Sequence, residues 1–110
     1  MSDSETAELL KEILKWERLR GLEYLRRKVK EENLFTDEKH IVVYHYTDGI
    51  KSSREIGRSA NVSHMTVQNL WKQWVAAGIA EPVERYKGGQ CRRIFELGDL
   101  GIELPKKARE

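Results

Sequence analysis

Residues 53–78 read SREIGRSANVSHMTVQNLWKQWVAAG, and their spacing satisfies the steric rules for two helices that cross at a tight turn. The first helix must present a small residue where the second helix crosses it, and Gly57 fills that position. Further along, the turn needs a residue that tolerates left-handed backbone, and Asn61 is the best choice after glycine. The spacing therefore predicts one helix before Asn61 and a second helix after it.

The same stretch carries the boundary and core signals of a helix-turn-helix. Ser63 is a good N-cap for the second helix, and Gly78 suits the left-handed position that follows its last residue. Apolar residues fall where they close a small core between the helices, at Ile56, Val62, Val67 and Leu70. In this motif the second helix, here about residues 63–77, enters the major groove of DNA.

With Val67, Leu70 and Trp74 turned inward, the opposite face of the second helix is polar. Gln and Asn side chains can bind adenine bidentately, and Lys can reach guanine or phosphate. Any surface helix has a polar face, but this one follows a correctly spaced turn, which favours contact with DNA. We predict that Trp71 and Trp74 are packing residues. The predicted DNA-binding residues of this unit are Arg54, Ser63, His64, Met65, Thr66, Gln68, Asn69, Lys72 and Gln73.

After Gly78 the pattern changes from helical to alternating. Residues 80–86 and 91–97 are candidate strands, and Gly88-Gly89 between them suits a two-residue hairpin turn. Such a turn would place Arg85 opposite Arg92 and Val83 opposite Ile94, with Phe95 and Leu97 in the core.

Facing arginines favour a nearby anion, because like charges directly opposite each other are destabilising. We therefore predict a wing over residues 83–95 that contacts the phosphate backbone. A solvated hairpin tip, with charges that serve only solubility, is the alternative. The predicted phosphate contacts are Arg85, Lys87, Arg92 and Arg93.

The first third of the chain predicts a long helix, in which Gly21 marks a kink or a split and Ser2 with Glu5 forms a possible capping box. Thr36 is the predicted N-cap of the next helix, which carries Ile41, Val42 and Tyr44 inward and stops at residues 47–49. The long helix has more apolar residues than a small winged domain can cover, which predicts a dimer interface. Its members are Leu9, Ile13, Trp16, Leu19, Leu22 and Leu25.

The order of these elements predicts a mainly α fold with a small β-hairpin wing, that is, a winged helix-turn-helix with a long N-terminal helix. We expect an N-terminal helical segment for dimerisation over residues 1–34. A DNA-binding domain follows over residues 35–97, and a C-terminal tail over residues 98–110.

Composition narrows the function classes. Residues 51–97 carry eight basic and four acidic side chains, an imbalance that suits attraction to phosphate. The acidic N-terminus and the lack of an apolar run of about 18 residues predict a cytoplasmic protein without membrane contact. The single cysteine and three scattered histidines predict neither a metal nor a cofactor. Without a Ser/His/Asp arrangement or a phosphate-binding glycine loop, we expect no enzyme.

Several stretches resemble a family of short archaeal winged helix-turn-helix proteins. The resemblance covers roughly residues 36–105. It is carried by residues 47–49 followed by residues 53–56, by Trp71-Lys72-Gln73-Trp74, by residues 78–82 and by residues 95–105. Members are described as transcriptional regulators, similar more broadly to the MarR and ArsR groups, which act as dimers. The resemblance implies DNA binding and a homodimer.

These observations predict a homodimeric regulator that binds double-stranded DNA, with two recognition helices in adjacent major grooves. The alternative is a winged-helix protein-interaction module in a transcription or replication assembly. The balanced charge of residues 1–33, eight basic and eight acidic side chains, would suit a partner helix.

Overall fold

The computed structural model describes residues 3–83 and 89–105, which form four α-helices and a two-stranded antiparallel sheet. This confirms the prediction of a mainly helical fold with a small hairpin. Ser2, Arg85 and Lys87 lie outside the described residues, so the capping box and the hairpin tip are not addressed. The elements are α1 (Asp3–Glu31), α2 (Glu38–Tyr46), α3 (Ser53–Ala60), α4 (His64–Ala77), β1 (Ala80–Val83) and β2 (Gln90–Arg93).

Helix α1 runs without interruption through Gly21, so the predicted split of this helix is wrong. Acidic side chains occupy its first turn and basic ones its last, as the helix dipole favours. Val29 is the only residue of α1 that is buried. Beyond the helix, Asn33 adopts left-handed backbone, and the Leu34 amide donates to the Val29 carbonyl at 3.2 Å. This turn carries the buried Leu34 into the core.

Helix α2 begins one residue later than predicted. Its N-cap is Asp37 rather than Thr36, because the Asp37 carboxylate accepts from the Lys39 amide at 3.2 Å. Val43 and Tyr44 are fully buried, whereas the predicted inward residues Ile41 and Val42 are only partly buried. The sequence interpretation therefore missed Val43, which lies between Val42 and Tyr44.

Aromatic rings from three segments form the centre of the core. Tyr44 packs edge-on against Trp74 with ring centroids 5.1 Å apart, and Phe35 packs edge-on against Tyr44 at 5.3 Å. The Trp74 indole N–H donates to the Leu34 carbonyl at 3.2 Å. Burial raises the pKa of the Tyr44 hydroxyl, which lies 2.7 Å from the Phe95 carbonyl oxygen. These contacts hold α4 against α2 and against residues 34–35, and they hold α2 against the chain that follows the hairpin.

Trp71 forms a second buried contact between α4 and α2. Its indole N–H donates to the Thr47 hydroxyl at 3.0 Å, and that hydroxyl donates to the Val43 carbonyl at 2.7 Å. Both Trp71 and Trp74 are therefore packing residues, as predicted. The core also includes buried Leu97 and Leu100, with Phe95 partly buried against them.

The predicted register of the hairpin is wrong. Arg92 pairs with Glu81 and Gln90 with Val83, and this register is incompatible with a two-residue turn at Gly88-Gly89. The opposite edge of β2 explains this register, because the Gly49 amide donates to the Cys91 carbonyl at 2.9 Å and the Arg93 amide to the Thr47 carbonyl at 3.0 Å. The loop after α2 thus holds β2 in position. The sequence prediction counted only the residues between the two strands and did not include this contact.

Candidate nucleic-acid interface

The crossing of α3 and α4 is set by the missing side chain of Gly57. A Cβ atom at this position would lie 2.7 Å from the Val62 carbonyl oxygen, closer than real Cβ contacts come. Asn61 adopts left-handed backbone, with φ 58° and ψ 46°. Its neighbour Val62 donates its amide to the Gly57 carbonyl at 2.9 Å. Both positions confirm the conformations that the spacing predicted.

Local capping fixes where each of the two helices begins. The Ser52 hydroxyl accepts from the Glu55 amide at 3.2 Å, and the Glu55 carboxylate accepts in return from the Ser52 amide. Ser63 caps α4 as predicted, since its hydroxyl accepts from the Thr66 amide at 3.1 Å. Gly78 ends α4 with φ 82°. Ser63 and Thr66 also contact each other at 2.9 Å, so both hydroxyls lie at the start of the helix.

Helix α4 divides into a buried and an exposed side. Val67, Leu70 and Trp74 are buried, as predicted. The predicted DNA-contacting residues Met65, Asn69, Lys72 and Gln73 are exposed, and His64, Thr66 and Gln68 are partly exposed. The structure thus brings these seven residues to the outer side of one helix, with the Gln68 amide 3.4 Å from the Ser53 hydroxyl of α3.

Helix α4 lies within a long stretch of sequence whose charged side chains are all basic. The sequence has no Asp or Glu between Glu55 and Glu81, although 35% of all residues are charged. Two exposed arginines of α3, Arg54 and Arg58, line a shallow cleft with His64 at the start of α4. Sequence reasoning missed Arg58. Its position four residues after the predicted Arg54 would have revealed it, because such residues share a helix face.

A pocket separates α4 from the hairpin. Its volume is about 490 Å³, and Gln68, Trp71, Lys72, Pro82 and Cys91 are among the residues that line it. Because of this gap, the described part of the hairpin leaves Gln68 and Lys72 open to a ligand. Burial leaves Cys91 2% exposed and raises the pKa of its thiol to about 11. Its sulfur is therefore protonated at neutral pH and a weak nucleophile.

The two described arginines of the predicted wing have different surroundings. Arg92 is exposed and forms an ion pair with Glu81, its partner across the sheet. Arg93 is largely covered, and its guanidinium donates to the His45 carbonyl at 2.7 Å and lies 3.3 Å from the Glu96 carboxylate. Arg93 therefore stabilises the C-terminal end of α2. The predicted facing pair Arg85–Arg92 is wrong, as is the pair Val83–Ile94.

The turn between α2 and α3 is organised by Asp48. Its carboxylate accepts from the amides of Ile50 and Lys51 at 2.9 and 3.0 Å, and from the Lys51 ammonium at 2.7 Å. Burial acts to raise the pKa of Asp48, but the hydrogen bonds from Lys51 and Ile50 outweigh it and lower the pKa to about 2. Asp48 also pairs with Arg92 through an antiparallel backbone bridge, so this turn joins α2, α3 and the hairpin.

The predicted dimer residues of α1 fall into two groups. Leu9, Ile13, Trp16 and Leu19 are exposed, between 44% and 62%. Leu22 and Leu25 are partly buried, and Leu25 packs on the core of its own chain. Only the first group is fully available to a partner.

Comparison of the chain with protein-family models, with curated proteins and with solved structures gave no match. Within residues 3–83 and 89–105, no group of three or more His, Cys, Asp or Glu side chains is arranged to hold a metal ion. In the same ranges, no helix has both the length and the apolar character needed to cross a membrane.

Proposed function

We propose that the protein binds duplex DNA as a winged helix-turn-helix transcriptional regulator, with α4 in the major groove. The observation that carries the proposal is the close crossing at Gly57, which leaves a carboxylate-free polar face of α4 exposed. A helix held in this way presents short polar side chains to base edges while its opposite side remains in the core. Asn69, Lys72 and Gln73 are the exposed members of this face that can donate hydrogen bonds to bases.

Phosphate contacts come from both sides of α4 in this proposal. Arg54 and Arg58 flank its N-terminal end, where the helix dipole also favours an anion. Arg92, and by sequence Arg85 and Lys87, provide cations on the hairpin side. Arg93 is not in this set, because its guanidinium is bonded to the C-terminal end of α2. Phosphate contacts of this kind position a protein on DNA, whereas base contacts give sequence preference.

The proposed active form is a homodimer that associates through α1. The support for this is the row of exposed apolar side chains on the N-terminal half of that helix, which includes Ile13 at 57% and Trp16 at 62%. A dimer would place two α4 helices on successive half-sites of one operator.

Fluorescence anisotropy of labelled duplex DNA, measured over a salt series, tests DNA binding. The double variant Arg54→Ala/Arg58→Ala removes two proposed phosphate contacts, so the slope of log affinity against log salt should become shallower by about two. The control Lys11→Ala/Lys15→Ala removes the same charge from exposed positions on α1 and should leave the slope unchanged. Equal effects of the two double variants would contradict the assignment of α3 and α4.

The wild-type protein provides the more basic test. Non-specific contacts alone should give measurable binding at about 50 mM salt. If the wild-type protein does not bind duplex DNA there, the DNA proposal is wrong, and the protein-interaction module becomes the better account. Asn69→Ala should lower affinity for sites selected from a random duplex pool, with little change in the salt slope, because Asn69 is proposed to contact bases.

A further inference from the structure

Helix α1 carries two apolar faces on opposite sides of its axis. In its C-terminal half, Leu25 and Val29 pack on the core of their own chain. In its N-terminal half, Leu9, Ile13 and Trp16 share the other side and are between 48% and 62% exposed. At about 3.6 residues per turn, Ile13 and Val29 lie about 160° apart around the axis. The N-terminal face therefore points away from the core that the C-terminal face covers.

The charges of α1 are separated along its length. Residues 3–12 carry four acidic side chains and one basic one, whereas residues 18–30 carry six basic side chains and one acidic one. A parallel pair of such helices would place like charges against each other at both ends. An antiparallel pair would instead place each acidic segment against the basic segment of its partner, which is favourable at helix-neighbour distances.

We infer that α1 pairs with the α1 of a second copy in antiparallel orientation, with the exposed side chains of Ile13 and Trp16 at the two-fold axis. This inference rests on the homodimer in the proposed function and specifies its geometry. A two-fold interface uses the same surface of both subunits, so that surface must be complementary to itself. Helix α1 meets this condition because it carries both signs of charge, in separate segments, on either side of an apolar centre.

Tyr24 extends the proposed interface beyond its centre, because it is 61% exposed and lies on the same side of the helix as Ile13. Thr6 lies about five full turns before Tyr24 and so shares its side of the helix. In the antiparallel pair, Thr6 of one copy lies near Tyr24 of the other. In a parallel pair, Tyr24 would instead lie near its own counterpart.

Disulfide cross-linking of single-cysteine positions distinguishes these orientations in the full-length protein. Ile13→Cys should form a covalent dimer on mild oxidation, because Ile13 lies next to the two-fold axis. Tyr24→Cys alone should cross-link at least tenfold less. An equimolar mixture of Thr6→Cys and Tyr24→Cys should recover cross-linking to about the level of Ile13→Cys. The native Cys91 is 2% exposed and should not contribute in the wild-type control.

Lys11→Cys is the matched control, because Lys11 is on α1 but on the same side as Val29. It should not cross-link with itself. Efficient cross-linking of Tyr24→Cys alone would overturn the antiparallel arrangement in favour of a parallel one. A wild-type protein that sediments as a monomer at about 100 µM, with no cross-link for Ile13→Cys, would overturn both the pair and the homodimer. The anisotropy of wild-type protein with duplex DNA reports DNA binding separately, so the two proposals can fail independently.

Discussion

The unit formed by α3, its turn and α4 differs from α1 in where its partners lie. In the first, Gly57 permits a close crossing, and α4 buries five residues against its own chain. In the second, 29 residues of helix bury only Val29. In proteins, helices gain most of their stability from packing of one face rather than from propensity. The comparison teaches that the shape of the first unit is fixed within the chain, whereas the exposed face of α1 is left for the proposed second copy to cover.

The largest expected contrast comes from the tryptophans of the two regions. Trp74→Ala should lower the free energy of unfolding by about 3–5 kcal/mol, because the indole is fully buried and its N–H is bonded to the Leu34 carbonyl. Trp16→Ala should change it by less than about 0.5 kcal/mol at sub-micromolar protein concentration, because Trp16 is exposed in the single chain. Urea denaturation followed by circular dichroism measures both. Similar losses for the two variants would remove the distinction between the regions.

The two helical glycines give the next largest contrast, with opposite signs. Gly57→Ala should destabilise the protein by about 1–3 kcal/mol, because its Cβ would meet the Val62 carbonyl oxygen and force the helices apart. Gly21→Ala should stabilise α1 by about 0.5–1 kcal/mol, because no atom lies near its Cβ and alanine favours helix. Chemical denaturation of both variants checks the signs. A tolerated Gly57→Ala would mean that the crossing is looser than described.

Two ion pairs, one in the turn before α3 and one in α1, give the smallest contrast. The first of them also makes stability depend on pH. Asp48→Asn should cost about 1 kcal/mol near neutral pH, because the Asp48 carboxylate accepts three hydrogen bonds in the turn. Glu17→Gln should cost less than about 0.5 kcal/mol, since its pair with Arg20 in α1 spans 3.7 Å between exposed side chains.

The folded-state pKa of Asp48 lies below its ordinary value, so its stabilising effect is present above about pH 4 and is lost as the pH falls to about 2. The difference in unfolding free energy between wild type and Asp48→Asn should therefore be largest near pH 6 and should be much smaller near pH 2. Denaturation curves at these two pH values measure it. A difference that stays constant between them would exclude the carboxylate as its source.

The sequence predictions were correct where a conformation depends on nearby residues and wrong where it depends on residues far away in the sequence. Asn61, Ser63 and Gly78 were placed correctly because each conformation depends on neighbours within a few residues. The hairpin register was wrong because it depends on Thr47 and Gly49, which lie far from β2 in the sequence. The turn rule considers only the residues between the two strands. It therefore could not include a third segment that bonds to the other edge of β2.

The same limit applied to the candidate site. The exposed face of α4 follows from helical periodicity, and the structure places its residues together. The engagement of Arg93 with the His45 carbonyl could not be predicted, because two residues 48 positions apart meet only in the folded chain. Likewise, sequence periodicity identified apolar residues on α1 but could not separate those that pack on the core from those left exposed.

The most direct test of the central claim is an NMR titration of the ¹⁵N-labelled protein with duplex DNA, selected for binding from a random pool. We expect the largest amide shift changes along the exposed side of α4, at Met65, Asn69, Lys72 and Gln73, with further changes at Arg54 and Arg58. Residues 3–17 of α1 should change little. Saturable shifts confined to α1, with none along α4, would contradict the assignment of α4 as the helix that reads DNA.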